Sequence, residues 1–445
     1  MARPSGPSGL LAGARRRIGL ALAPVALLWL CVLWAAAGDR PPAPAAKAPL
    51  APAALQVIAA AGDPSPADGS FDRFDVEGRV VPAPANRRGE VAFFATLLRS
   101  AAEEGWFVAA QGRIGKLAVV GDAVPSGERL AGFGENPAAA INDAGAVAFS
   151  AQLTGGKATS GVFVAQRGKL AAVALSGAAA PDEPQATLAE FEQPALNDAG
   201  DVAFLAATRR GREAGEAIYL WRKGQLSKLV ASGDRAPGGG NFSSFGNPAL
   251  NNKGEVAFGA LIEQGPILGG IFLSSGKEIR SVLAAGGPAP TGGIFARFSE
   301  RLDVNDAGTI AFSAVLRQGG PEVAVFAVEN DVPRALAAVG QAAPGGGTYA
   351  AFASWPAMGN DGAVAFLASL DGGPDGLAVY RAGAEGVRRV AAIGDALPGG
   401  GRIAAFPLYP SLAIAPDGAV TFAAIAERDG ARADTLLFYG PPRGK

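Results

Sequence analysis

One eight-residue segment, Asn142-Asp-Ala-Gly-Ala-Val-Ala-Phe149, is written repeatedly along this chain. Copies run from Asn86 to Phe93, Asn197 to Phe204, Asn251 to Phe258 and Asn305 to Phe312. Two degenerate copies replace the Asn with Gly359 and Ala415 and end at Phe366 and Phe422. The motif glycines are Gly89, Gly145, Gly200, Gly254, Gly308, Gly362 and Gly418, a spacing of 54 to 56 residues. A period of that length means a chain of equal supersecondary units, each needing its neighbour to bury an apolar face.

Other residues keep step with the motif. An Ala follows each motif Phe by two positions, as in Ala151 and Ala260. Each copy then carries one aromatic in an apolar run: Phe107, Phe163, Tyr219, Phe272, Phe326, Tyr380 and Phe438. Of the 33 aromatic residues, 14 fall in these two aromatic registers, so the rings belong to the framework rather than to a ligand platform.

Period-2 alternation sets the secondary structure. In Val256-Ala-Phe-Gly-Ala260, Val256, Phe258 and Ala260 share one face. Ala257 and Gly259 on the other are small rather than charged, as in a sheet covered on both sides. Asn-Asp-x-Gly is a turn, because Asn and Asp cap their own backbone and Gly accepts positive φ. A calcium loop would need more oxygen donors than this turn offers. Four strands per copy follow, exemplified by Phe245 to Leu250, Val256 to Leu261, Ile271 to Ser274 and Ile279 to Ala285.

Seven four-stranded units indicate an all-β, seven-bladed β-propeller over residues 55–440. The chain ends support closure. Leu55 to Ala61 reads as a fourth strand before any first strand, and the last unit stops at its third, Leu436 to Tyr439. Pairing them closes a ring and hides both edges. The repeated Asn-x-x-Gly-x-x-Ala-Phe resembles that of bacterial exported proteins of uncharacterised function built from such tandem units. Over residues 55–440 that resemblance implies a propeller-like fold, and it implies no activity or catalytic residue.

Residues 1–37 place Arg15-Arg-Arg17 before an apolar run, Ile18 to Ala37, and read as a signal peptide or an N-terminal membrane anchor. Residues 38–54 are a Pro/Ala-rich linker, and residues 441–445 a short tail. The expected location is periplasmic, cell-surface or secreted. Without residues 1–37 the chain has 35 basic and 40 acidic residues, mildly acidic, and carries no nucleic-acid footprint.

The chain has no His, and its single Cys, Cys31, lies in the apolar leader. Ser-His-Asp and Cys-His nucleophiles, His-ligated metals and disulfides are thereby excluded, and no cofactor or metal is expected. Asp63, Asp122, Asp234 and Asp395 follow Gly at the end of a fourth strand, where they either cap the next loop or form a ligand-binding ring. Arg209, Arg210 and Arg212, in a variable stretch from Arg209 to Gly215, suit an anionic glycan or a protein acid. The stretches Arg99 to Gly105 and Glu427 to Asp434 are likewise read as variable charged loops. Glu322 is the one solitary acid read as interrupting an apolar strand. The expectation is a non-catalytic, monomeric binding protein that meets a glycan or cell-surface protein with one propeller face. A glycoside hydrolase, needing only two carboxyls, is the alternative.

Overall fold

The computed structural model describes residues 55–440, apart from residue 277. The signal or anchor, the linker and the tail lie outside those residues. Among the described residues no helix is long and apolar enough to cross a membrane.

Seven antiparallel sheets stand in a ring, one per repeat, giving a seven-bladed β-propeller. Blade 4 is representative, with strands Glu255–Glu263, Gly269–Ser275 and Glu278–Ala284 outside an inner strand. The inner strand departs from expectation. The continuous Phe245 to Leu250 is instead Asn241–Phe245 and Ala249–Leu250, both paired with the second strand. Pro248 has no N–H to give the ladder, and the break at Gly246-Asn247-Pro248 frees this stretch from regular pairing.

Packing between blades explains the two-sided apolar pattern. Val256, Phe258 and Phe272 pack with Ala203, Ile218 and Val230 of blade 3. Ala257, Ile271 and Leu273 pack with Phe312 and Phe326 of blade 5. Each sheet offers a large face to the blade before it and a smaller face to the blade after it. Wedge-shaped blades with such faces close into a ring rather than stacking indefinitely.

The ring closes as the chain ends indicate. Leu55–Ala60 pairs antiparallel with the last strand, Leu55 opposite Tyr439 and Ala60 opposite Thr435. A bulge between Val57 and Ala59 breaks the simple alternation expected there, so Leu55 and Ala59 are buried while Val57 is exposed. A second latch crosses the same seam. The hairpin Asp75–Val76/Arg79–Val80 of blade 1 docks on blade 7, with Val80 donating to the Tyr409 carbonyl at 2.9 Å. Thr421 also donates its hydroxyl to the Ala83 carbonyl across this seam.

The expected loops of blades 3 and 7 are mostly strand. Val202–Arg210 pairs with Glu213–Arg222, leaving only Gly211-Arg212 as a turn with Gly211 at φ 60°. Val420–Arg428 pairs with Ala431–Tyr439 through Asp429-Gly430. In each, Gly supplies the positive φ that a two-residue hairpin requires, so the strands continue to the tip. Glu322 lies just before the strand Val323–Glu329 and is exposed, so it interrupts nothing.

Candidate functional site

The inner strands surround a central channel that differs at its two ends. At one end the Asn turns form a collar. Asn86, Asn142, Asn197 and Asn251 each donate from Nδ2 to the carbonyl of the next Asn, at 2.9 to 3.2 Å. The following residue adds a second tie: Asp143 N–H reaches Asp198 Oδ1 at 2.8 Å, and Asp198 N–H reaches Asn252 Oδ1 at 2.8 Å. The repeated Asn-Asp therefore joins blade to blade as well as capping its own turn.

The other end is irregular in sequence. Four positions before the motif Asn, the seven copies read Pro82, Ala138, Gln193, Asn247, Arg301, Trp355 and Ser411. Two positions before, they read Pro84, Ala140, Ala195, Ala249, Asp303, Ala357 and Ala413. The polar departures cluster in blades 3, 4 and 5. Four residues of strand separate them from the collar, about 13 Å along the channel. Together with the collar residues, among them Asn142, Asn197 and Asn251, they line a channel space of roughly 200 Å³.

Arg301 of blade 5 donates from Nη1 to Gln193 Oε1 of blade 3, 3.3 Å away, spanning blade 4. Asn247 of the intervening blade 4 bridges Arg301 through its backbone, and its Oδ1 is buried without a hydrogen-bond partner. Burial pulls the Arg301 guanidinium below its ordinary value, opposed by Asp303. A guanidinium nevertheless stays charged at any physiological pH. Among the described residues no carboxylate lies within 4.0 Å of Arg301, so four of its five donors have no acceptor here. Asp303 is engaged otherwise. Its Oδ2 accepts from Met358 N–H of blade 6 at 3.0 Å and its Oδ1 from Val304 N–H at 3.0 Å. Burial raises the Asp303 carboxyl, with those N–H groups and Arg301 pulling the other way.

One residue nearer the mouth, Glu192 precedes Gln193 and Glu300 precedes Arg301. Burial first, then Glu190 and Glu300, push the Glu192 carboxyl above the usual range, although its surface as a whole is exposed. Glu216 is raised by burial and by Glu192 while accepting from Phe245 N–H at 2.8 Å. Gly246 of blade 4 permits the close approach. A Cβ there would sit 2.3 Å from the Glu300 carbonyl oxygen.

The residues singled out in the sequence lie elsewhere. Asp63, Asp122, Asp234 and Asp395 each accept the N–H three residues earlier, at 2.8 to 3.0 Å. Gln341 makes the same bond to Ala338, showing that an amide serves equally. Asp122 also meets Lys116 at 2.8 Å, and Asp395 meets Arg389 at 2.7 Å. The four sit on four blades and do not converge, and among the described residues no group of three acids is arranged to hold a metal ion. Arg209 and Arg210 face Glu190 and Glu183 at 3.6 and 3.5 Å, and Arg212 occupies the hairpin tip. Gln193, Asn247, Arg301 and Asp303 escaped sequence reasoning. Aligning the copies on the motif Asn exposes them, because at the positions four and two before it only blade 5 carries charges, Arg301 and Asp303.

Fold and site together define a seven-bladed propeller with a collared channel and one polar mouth. Residues 51–354 and 270–438 match the model of a family described as "Family of unknown function (DUF7453)", and the chain belongs to that family. No curated protein matches the chain. Similar solved structures include an oligogalacturonate lyase in complex with manganese, 12% identical, TM-score 0.46, covering 89% of this chain and 98% of that one. A puromycin hydrolase is 12% identical at TM-score 0.49, covering 84% and 55%. A PL25 ulvan lyase bound to -[GlcA(1-4)Rha3S]- is 12% identical at TM-score 0.41, covering 85% and 94%. No residue role is carried over from them.

Proposed function

We propose that this is an exported, non-catalytic binding protein that captures a small polar ligand in its propeller channel, at the end that holds Arg301. The observation that carries this reading is Arg301. It is a charged side chain drawn into the channel with one protein hydrogen bond, beside a buried amide oxygen with none. Leaving the buried Asn247 oxygen unpaired is costly, and a ligand that donates to it while accepting from the unused Arg301 N–H groups offsets that cost. Asp303, beside Arg301 on the channel wall, has both oxygens occupied by backbone N–H groups.

A carboxylate-dependent, glycan-active enzyme is the second reading. It draws on Glu192, whose raised carboxyl would hold a proton for a leaving group. One assay separates the two. The mature chain is incubated with cell-envelope glycans and small metabolites, and both retention and turnover are followed. Retention of a compound recovered unchanged supports binding. Turnover that Glu192→Gln abolishes overturns it in favour of the enzyme.

A further inference from the structure

The side chains and strand edges that line the channel space narrow the ligand further, an inference that rests on the binding reading above. We infer that the channel takes a small hydroxycarboxylate, a compact molecule with one carboxylate and at least one hydroxyl. The space of roughly 200 Å³ is below the range of drug-sized pockets, about 300–1,000 Å³, which keeps the ligand compact.

The carboxylate half rests on Arg301. One N–H ties its guanidinium to Gln193 at 3.3 Å, and the unused N–H groups form a planar fork that matches a carboxylate. Among the described residues Arg301 is the only Lys or Arg that lines the space, enough for one negative charge and not for two. Asp143, Asp198 and Asp306 line its far end, at the collar, and each accepts a main-chain N–H from the blade before. Lying about 13 Å away along the strands, they repel a carboxylate from the collar and so orient it toward Arg301.

The hydroxyl half rests on acceptors and strand edges. Asn247, bridged to Arg301 through its backbone, holds a buried Oδ1 without a partner, which a hydroxyl beside the carboxylate satisfies. The inner strands Ala195–Leu196, Ala249–Leu250 and Asp303–Val304 pair only with the second strand of their own blade. Their other edges therefore offer N–H and C=O groups to the space they line. A hydroxyl both donates and accepts, so it fits such a wall, whereas a hydrocarbon tail would leave it unpaired. A cation would meet the Arg301 guanidinium, and a neutral polyol would leave its fork empty.

The test is isothermal titration of the full chain with glycolate, lactate, glycerate and gluconate, one at a time. The best binder is then compared with its methyl ester, its deoxy acid and inorganic phosphate. At least one hydroxy acid binds at one per chain, and its ester binds at least about tenfold more weakly, the scale of a lost charge-assisted pair. The deoxy acid and phosphate also bind more weakly. Arg301→Gln removes detectable binding, and Asn247→Ala erases the preference for the hydroxy acid over the deoxy acid. Melting curves confirm that the variants fold, and the altered ligands on wild-type protein need no variant at all. Equal affinity for acid and ester overturns the inference, as does equal affinity for the deoxy acid, tighter binding of phosphate, or binding that Arg301→Gln leaves unchanged. If no hydroxy acid binds while another compound is retained unchanged, the hydroxycarboxylate fails and the binding reading stands. If the bound acid is consumed, the binding reading itself fails.

Discussion

Asn142 donates its side-chain N–H to the main-chain carbonyl of Asn197, 3.0 Å away in the neighbouring blade. The same side chain accepts from Ala144 and Ala146 N–H at 3.1 and 2.9 Å. One buried amide thus caps its own turn and holds the next blade. The amide supplies both a donor and an acceptor, whereas an ionised Asp supplies only acceptors.

Asn142→Ala should therefore cost about 2–4 kcal/mol, since it removes several bonds and strands buried backbone partners. Asn142→Asp should also destabilise, because it keeps the cap and loses the inter-blade donor. Chemical denaturation of the two variants checks both. Equal stability of Asn142→Asp and wild type would assign the residue to the turn alone.

Removing residues 55–60 deletes the strand that completes blade 7. Leu55 and Ala59 leave the core and a ladder of backbone bonds is lost, on the order of 5 kcal/mol in all. Domain stability is only about 5–15 kcal/mol, so the truncated chain should melt far lower or aggregate through its open edge. Differential scanning calorimetry and light scattering read this out. A truncated chain that melts with wild type would mean that the hairpin at Asp75–Val80 carries closure alone.

Gly246→Ala places a methyl 2.3 Å from the Glu300 main-chain oxygen, where no flexible side chain can yield. The inner strands of blades 4 and 5 must separate, at a cost of about 1–3 kcal/mol. Ligand affinity should fall with stability, because the same separation moves Glu300 and Arg301. Paired melting and binding measurements check this; a change in neither would show that the mouth tolerates widening.

Three acids with raised carboxyls give the fold a pH dependence of definite sign. The Glu192 carboxyl is raised in the folded chain, chiefly by burial and then by Glu190 and Glu300. Glu216 and Glu104 are also raised, burial being the first cause for each. A raised carboxyl binds its proton more tightly folded than unfolded, so its contribution to stability declines as pH rises from the ordinary carboxylate value through the raised one. Glu192→Gln removes this loss, so its melting temperature should exceed wild type more at about pH 7 than at about pH 4. A gap independent of pH would show that Glu192 titrates as it does in the unfolded chain.

Architecture was legible because it is written seven times. The spacing of Gly89 through Gly418 and the stray strand at Leu55 were enough for blade number and closure. Repetition also concealed the site. Gln193, Asn247 and Arg301 each look like an ordinary polar residue beside a turn, and only superposing the copies shows that the other inner strands hold Pro, Ala, Trp or Ser there. The second role of Asn-Asp was hidden for a different reason. The turn is local and readable from residue type, whereas the bond from Asp143 to Asp198 crosses 55 residues and exists only once the ring has closed. The length of the blade 3 hairpin was misjudged because charged residues continue a strand when both ends of the ladder face solvent, as Arg209 and Arg210 do.

Native mass spectrometry tests the central claim, that the channel end around Arg301 is the ligand site. The full chain is exposed to the small-molecule fraction of a cell-envelope extract, exchanged into volatile buffer and weighed intact. Wild type is expected to carry a single small adduct per chain, and Arg301→Gln, melting as wild type does, is expected to carry none. An adduct of equal occupancy on both proteins, or none on either, would contradict the assignment.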